Sequence, residues 1–152
     1  MRKIFFIIPL LIFAFIFYFS LSGKLSLKEN NERKGKYNLL IITIDTLRAD
    51  RLGCYGFRKN TSPAIDKFAD ESLLFENAIV QVPFTGPSHA SLFTGKYVIN
   101  HGVLSNGYKL PDENLTLAEI LKDSGYTTGG FIASYILKEA YNFNQGFDVY
   151  RG

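Results

Sequence analysis

The chain has 152 residues, 47% hydrophobic, 15% aromatic and 20% charged, a composition that supports a folded core and argues against intrinsic disorder. A net charge of +3, from 17 basic and 14 acidic residues, is small and dispersed. It gives no clustered basic face, so nucleic acid is not an expected partner. The single cysteine, Cys54, leaves no internal disulfide and no cysteine-based zinc site, so stability has to come from packing.

Arg2 and Lys3 precede an apolar run from Ile4 to Leu21. At roughly 17 to 18 residues it reaches the lower limit of a bilayer span. Residues 1–23 therefore read as an N-terminal membrane-inserting helix, with membrane contact through residues 4–21. A cleaved signal peptide is the alternative, although Ser20-Leu21-Ser22 is a poor small-x-small exit, and a buried core helix is a third reading. Pro9 is compatible with a membrane helix. Arg2 and Lys3 favour a cytoplasmic N-terminus, while Lys24, Lys28, Arg33, Lys34 and Lys36 just past the run weaken that orientation. Residues 24–36 offer almost nothing to bury and read as a tether.

Asn38 to Ile44 is a short, continuous, β-branched apolar run, the pattern of a strand buried on both faces of a parallel sheet. Asp45 stands at its carboxyl end, where open α/β sheets gather ligands, so it is placed to hold a metal or to catalyse. The alternative is a carboxylate that caps the next turn. Ser62-Pro63-Ala64 predicts a helix start, followed by Ile65, Phe68, Ala69 and Leu73 at helical spacing. Phe75 to Val80 predicts a second strand.

Within Thr85-Gly86-Pro87-Ser88-His89, Pro87 suits a first helical turn and Gly95 a stop, which predicts a helix over Pro87 to Thr94. Thr85 then sits just ahead of backbone N–H groups that favour an anion such as a phosphate or sulfate ester. His89 lies one turn further along, within reach of the same site. The alternatives are an N-cap for Thr85 and a partly buried, hydrogen-bonded imidazole for His89. Leu115 to Lys122, ending at Gly125, predicts a third helix, and Tyr126 to Ile132 a further strand. Gly129-Gly130 lacks the lysine and spacing of a phosphate loop. Strands alternating with helices indicate an α/β fold with a mainly parallel sheet.

In this order the segments resemble the N-terminal part of the sulfatase family, within the alkaline phosphatase superfamily. Ile44-Asp45-Thr46-Leu47-Arg48-Ala49-Asp50 and Leu52-Gly53-Cys54-Tyr55-Gly56 are similar to the family's opening strand and first metal aspartate. Thr85-Gly86-Pro87-Ser88-His89, running on to Thr94-Gly95, resembles its nucleophile motif, Cys-x-Pro-Ser-Arg followed by a Thr-Gly helix end. Asn100-His101-Gly102-Val103, Leu110-Pro111-Asp112, Thr116-Leu117-Ala118-Glu119, Gly125-Tyr126-Thr127-Thr128 and Gly146-Phe147-Asp148 follow in the family's order. The resemblance covers residues 38 to 150. It implies a partial sulfatase-like sandwich over residues 37–152 and metal-dependent hydrolysis of a sulfate or phosphate ester on the extracytoplasmic side of a membrane.

The same resemblance implies Thr85 as nucleophile, His89 as a group that contacts substrate or nucleophile, and Asp45 and Thr85 as ligands of a divalent ion. Calcium is the ion the family suggests, with zinc, manganese and magnesium as alternatives. Formylglycine is not expected, because the β-carbon of threonine already carries a methyl group. Superfamily members that transfer phosphoethanolamine or phosphoglycerol groups use threonine, so a membrane-anchored phosphoryl-group transferase is the alternative activity. Three positions depart from the sulfatase pattern: His89 replaces the motif arginine, Thr46 replaces the second aspartate, and Ala133-Ser134-Tyr135 lies where a Lys-Trp-His segment is expected. The family draws further metal ligands from a segment beyond residue 152, and one carboxylate with one hydroxyl makes a poor divalent-cation site. The chain therefore reads as the leading part of a split or truncated protein, with a C-terminal part as its missing partner or, failing that, as a non-catalytic fragment.

Overall fold

The computed structural model describes residues 37–152. The expected membrane-inserting helix and tether lie outside the described residues. Among the described residues no helix is long and apolar enough to cross a membrane.

Ala49–Arg51 and Gly53–Tyr55 form two short 3₁₀ turns that lead into helix α1, Pro63–Asp70. Proline at its first position fixes φ where an amide hydrogen would be unused, as the sequence predicts. Ser62 ahead of it accepts from the Gly53 amide and donates to the Asp66 carboxylate, which also accepts from the Cys54 amide. These bonds fasten α1 to the second 3₁₀ turn.

Helix α2 spans Thr85–Thr94 and begins two positions earlier than the proline alone suggests. Phe84, in an extended conformation, takes the cap position, so Thr85 is the first helical residue and not the N-cap. Gly95 ends the helix at φ 66°, a left-handed conformation that glycine adopts without a Cβ penalty. A single-turn helix α3, Val98–His101, packs against α2. Helix α4, Leu117–Asp123, opens on a reciprocal cap: Thr116 accepts from the Glu119 amide while the Glu119 carboxylate accepts from the Thr116 amide.

Strands β1, Gly129–Phe131, and β2, Val149–Arg151, pair in parallel with Gly129 opposite Val149. The crossover between them carries two 3₁₀ turns, Tyr135–Leu137 and Glu139–Tyr141. The fold is thus α/β with a small, two-stranded parallel sheet. The core is Ala90 from α2, Val103, Leu110, Leu137 and Phe143, extended by Phe93, which meets Phe143 and Phe147 edge to face. Among the described residues every buried side-chain polar atom has a hydrogen-bond partner.

Two predicted strands do not form, and a third is shorter than predicted. Asn38 to Ile44 and Phe75 to Val80 join no ladder, and Tyr126 to Ile132 contributes only Gly129–Phe131. A continuous apolar run makes a strand when neighbours cover both its faces. Here Leu40 is 80% exposed, Ile42 74% and Ile79 85%, so that cover is missing and the expected larger sheet is reduced to two strands.

Candidate active site

Two residues past the apolar segment 38–44, Thr46 has a φ of 60° that turns the chain sharply just beyond Asp45. A β-branched residue in this region is strained. The turn brings the Asp45 carboxylate to the first turn of α2, where the Thr85 hydroxyl donates to Asp45 Oδ2 at 2.9 Å across 40 residues of sequence. The two groups stand in a cleft of about 840 Å³, together with Thr43, Ser88, His89 and Asn106.

His89, only 8% exposed, binds with both ring nitrogens. Nδ1 lies 2.8 Å from the Thr85 carbonyl and Nε2 3.1 Å from the Thr43 hydroxyl. A carbonyl only accepts, so Nδ1 carries the proton that it donates. His89 thus takes the form of the buried, hydrogen-bonded imidazole and also lines the cleft. It reaches Thr85 through the main chain and not through the hydroxyl.

The amino end of α2 offers fewer free donors than the sequence suggests. The Gly86 amide donates to Asn106 Oδ1 at 2.9 Å, Pro87 has no amide hydrogen, and the Ser88 amide bonds the Phe84 carbonyl. The Ser88 hydroxyl adds a 3.2 Å bond to the Thr85 carbonyl. Of the residues singled out in the sequence, Asp45, Thr85 and His89 are brought together. Thr43 and Asn106 were not anticipated. Thr43 carries a faint signal, because residues two apart in an extended segment share a face and it lies two before Asp45. Asn106 carries none, since its contact spans 20 residues.

Behind α2, His101 is 1% exposed and its Nδ1 accepts from the Val103 amide, which places the neutral ring's proton on Nε2, 3.0 Å from Ser91 Oγ. Burial first, and then the nearby Lys96 ammonium, hold this imidazole below its ordinary pKa and favour the neutral form.

The divalent ion implied by the sequence resemblance meets an incomplete donor set. A hard cation such as calcium takes about six to eight oxygen ligands. Here one carboxylate and one hydroxyl meet, and among the described residues no group of three or more His, Cys, Asp or Glu is placed to hold an ion. Residues 37–152 do not by themselves fit a metal.

Comparison with known proteins places this geometry in context. The family profile described as Sulfatase matches residues 37–152. The chain is 35% identical over 141 residues to an ulvan-active sulfatase of Formosa agariphila, a match covering 87% of this chain and 27% of that protein. It is 38% identical over 98 residues to human arylsulfatase A, covering 60% of this chain and 19% of the relative. Against the steryl-sulfatase of Rattus norvegicus it is 36% identical over 103 residues, with coverages of 60% and 18%. The chain therefore spans between 18% and 27% of the length of these curated relatives. With a family match over all of residues 37–152, the chain belongs to the sulfatase family.

Proposed function

We propose that this chain carries the nucleophile-bearing part of an enzyme that cleaves sulfate or phosphate esters, with Thr85 as the attacking group. The observation that carries this reading is the 2.9 Å hydrogen bond from the Thr85 hydroxyl to Asp45 Oδ2 inside the cleft. A hydroxyl is a weak nucleophile at its ordinary pKa and needs a neighbouring base to take its proton. Asp45 is the base within reach. As Thr85 Oγ1 forms its bond to sulfur or phosphorus, the proton passes to Asp45 and the ester oxygen departs. The departing oxygen takes a proton from water; water, or an acceptor alcohol in a transferase, then bonds to the sulfur or phosphorus, the bond to Thr85 Oγ1 breaks, and Asp45 returns its proton to that oxygen while the attacking group loses its own to solvent. His89 and Ser88 hold the Thr85 carbonyl and keep the hydroxyl on the carboxylate.

Sulfatase relatives act on sulfate esters, which supports that substrate class for the whole protein. Threonine at position 85, where the family motif has cysteine, favours direct attack by the side-chain oxygen over formylglycine chemistry, and equally supports phosphoryl transfer. A divalent ion would take Asp45 and Thr85 as two of its ligands and neutralise charge on the ester. Its remaining ligands would be water or groups outside residues 37–152. The apolar run at residues 4–21 supports a membrane-anchored or exported protein with the ester-reacting face outside the cytoplasm.

The test is a screen of aryl sulfates and aryl phosphates with the full chain, alone and with calcium, zinc, manganese or magnesium. Thr85→Ala is expected to abolish turnover and Thr85→Ser to retain part of it. Acceptor alcohols added to the assay separate transfer from hydrolysis. Undiminished turnover in Thr85→Ala, or none in the wild type under any condition, overturns the reading for this chain.

A further inference from the structure

Thr43 and His89 form part of the wall of two cavities at once. One is the cleft that holds Asp45 and Thr85; the other, of about 440 Å³, is lined largely by apolar residues that include Leu39, Phe93, Leu117 and Phe147. The partition between them is the 3.1 Å contact from Thr43 Oγ1 to His89 Nε2, which joins positions 46 residues apart. On the far side of the ring, Nδ1 holds the Thr85 carbonyl. Three consecutive groups thus run from the segment that carries Asp45, through the imidazole, to the residue whose hydroxyl meets Asp45.

The direction of the bonds follows from the acceptors. Nδ1 has to donate to the Thr85 carbonyl, so in the neutral ring Nε2 is an acceptor and the Thr43 hydroxyl donates to it. His101 has the opposite arrangement, with Nδ1 accepting from the Val103 amide and Nε2 carrying the proton. The chain's two histidines therefore hold opposite tautomers.

We propose that Thr43 is a positioning residue: the Thr85 carbonyl fixes His89 as the Nδ1–H tautomer, and the Thr43 hydroxyl, donating to Nε2, holds the ring in the place from which it clamps that carbonyl and sets the Thr85 hydroxyl on Asp45. This rests on the reading of Thr85 as nucleophile, but its physical content is independent of turnover. Removing the hydroxyl leaves Nε2 without its donor and loosens the link between the two segments that meet at the site. Thr46, strained beside Asp45, does not hold the carboxylate in place alone, because segment 38–44 is bound by no sheet ladder.

The experiment is nitrogen-15 NMR of the histidine rings in the full chain, at alkaline pH where imidazoles are neutral, with the Thr85 Cβ signal followed in parallel. Wild type is expected to show one Nδ1–H ring, His89, and one Nε2–H ring, His101, the latter serving as internal reference. Thr43→Val is expected to shift the His89 Nε2 and Thr85 Cβ signals and leave His101 unmoved, and Thr43→Ser to restore both. An Nε2–H tautomer at His89 overturns the proposal. So does a Thr85 signal that stays at its wild-type position while His89 moves. If Thr43→Val fails to fold, Thr43→Ala, which also lacks the hydroxyl, makes the same comparison against Thr43→Ser. Where an ester is turned over, Thr43→Val is expected to lower kcat about 10- to 100-fold with KM little changed, the scale of loss for a misplaced reacting group. Absence of turnover in the wild type counts against Thr85 as nucleophile and leaves the tautomer result to judge Thr43.

Discussion

The amide of Gly86, in the first turn of α2, is held by the side-chain carbonyl of Asn106, 2.9 Å away and 20 residues downstream. This is a cap supplied from a distant loop, since Phe84 at the cap position has no side chain that can accept. Asn106→Ala is therefore expected to destabilise the protein by about 1 kcal/mol, the ordinary cost of a lost cap. Urea unfolding of the two proteins side by side checks this, and an unchanged midpoint contradicts it.

Asp45→Asn keeps the shape of the side chain and removes the base. If Asp45 accepts the Thr85 proton during attack, turnover of any ester that the protein cleaves is expected to fall by about 10²- to 10⁴-fold. Steady-state assays decide it, provided circular dichroism shows the variant folded. A loss under threefold would leave Asp45 with a purely structural part.

Asp148 sits where α4 meets β2, 2.7 Å from the Lys122 ammonium and accepting from the Thr128 amide. The Lys122 bond first, and then the Thr128 amide, hold its carboxyl down at about 2. The folded value lies below the unfolded one, so the stabilisation is present above about pH 4 and fades as pH falls toward about 2. Unfolding midpoints measured across that window should fall for the wild type. Asp148→Asn should flatten the slope, and identical slopes for both proteins would contradict the assignment.

Gly146 has φ 79° and packs against the backbone of Ala118 and Glu119, at the capped end of α4. A methyl group there meets both obstacles. The left-handed conformation costs a non-glycine residue about 1–2 kcal/mol, and overpacking costs about 1–3 kcal/mol more. Gly146→Ala is accordingly expected to lose about 2–5 kcal/mol, read by thermal or denaturant unfolding. A loss under 1 kcal/mol would mean that the loop simply moves aside.

Helices α1, α2 and α4 were legible because their punctuation is local, whereas the single turn of α3 is too short to show a helical period. Pro63, Gly95 and Gly125 each mark an end through angles set within a few residues, while the Thr116–Glu119 cap, which starts α4 two residues later than predicted, was not read. Segments 38–44 and 75–80 were misread for a related reason: their apolar, β-branched character states a need for cover but not whether cover is present. At the site, Asp45, Thr85 and His89 could be singled out, while the exchange of cap for first helical position at Thr85 could not, because Phe84 carries no capping signal. Asn106 was hidden by distance, and Thr43 showed only the faint trace of sharing a face with Asp45, since its contact with His89 spans 46 residues.

Thr46 gives the site a particular economy. Holding a β-branched residue at φ 60° costs about 1–3 kcal/mol, and that cost sits directly beside the carboxylate it aims. Thr46→Gly should release it and raise the unfolding temperature, yet a glycine hinge would let the carboxylate swing away from Thr85. Position 46 is thus where robustness and reactivity compete, so selecting this protein for heat tolerance alone would favour changes that disarm it.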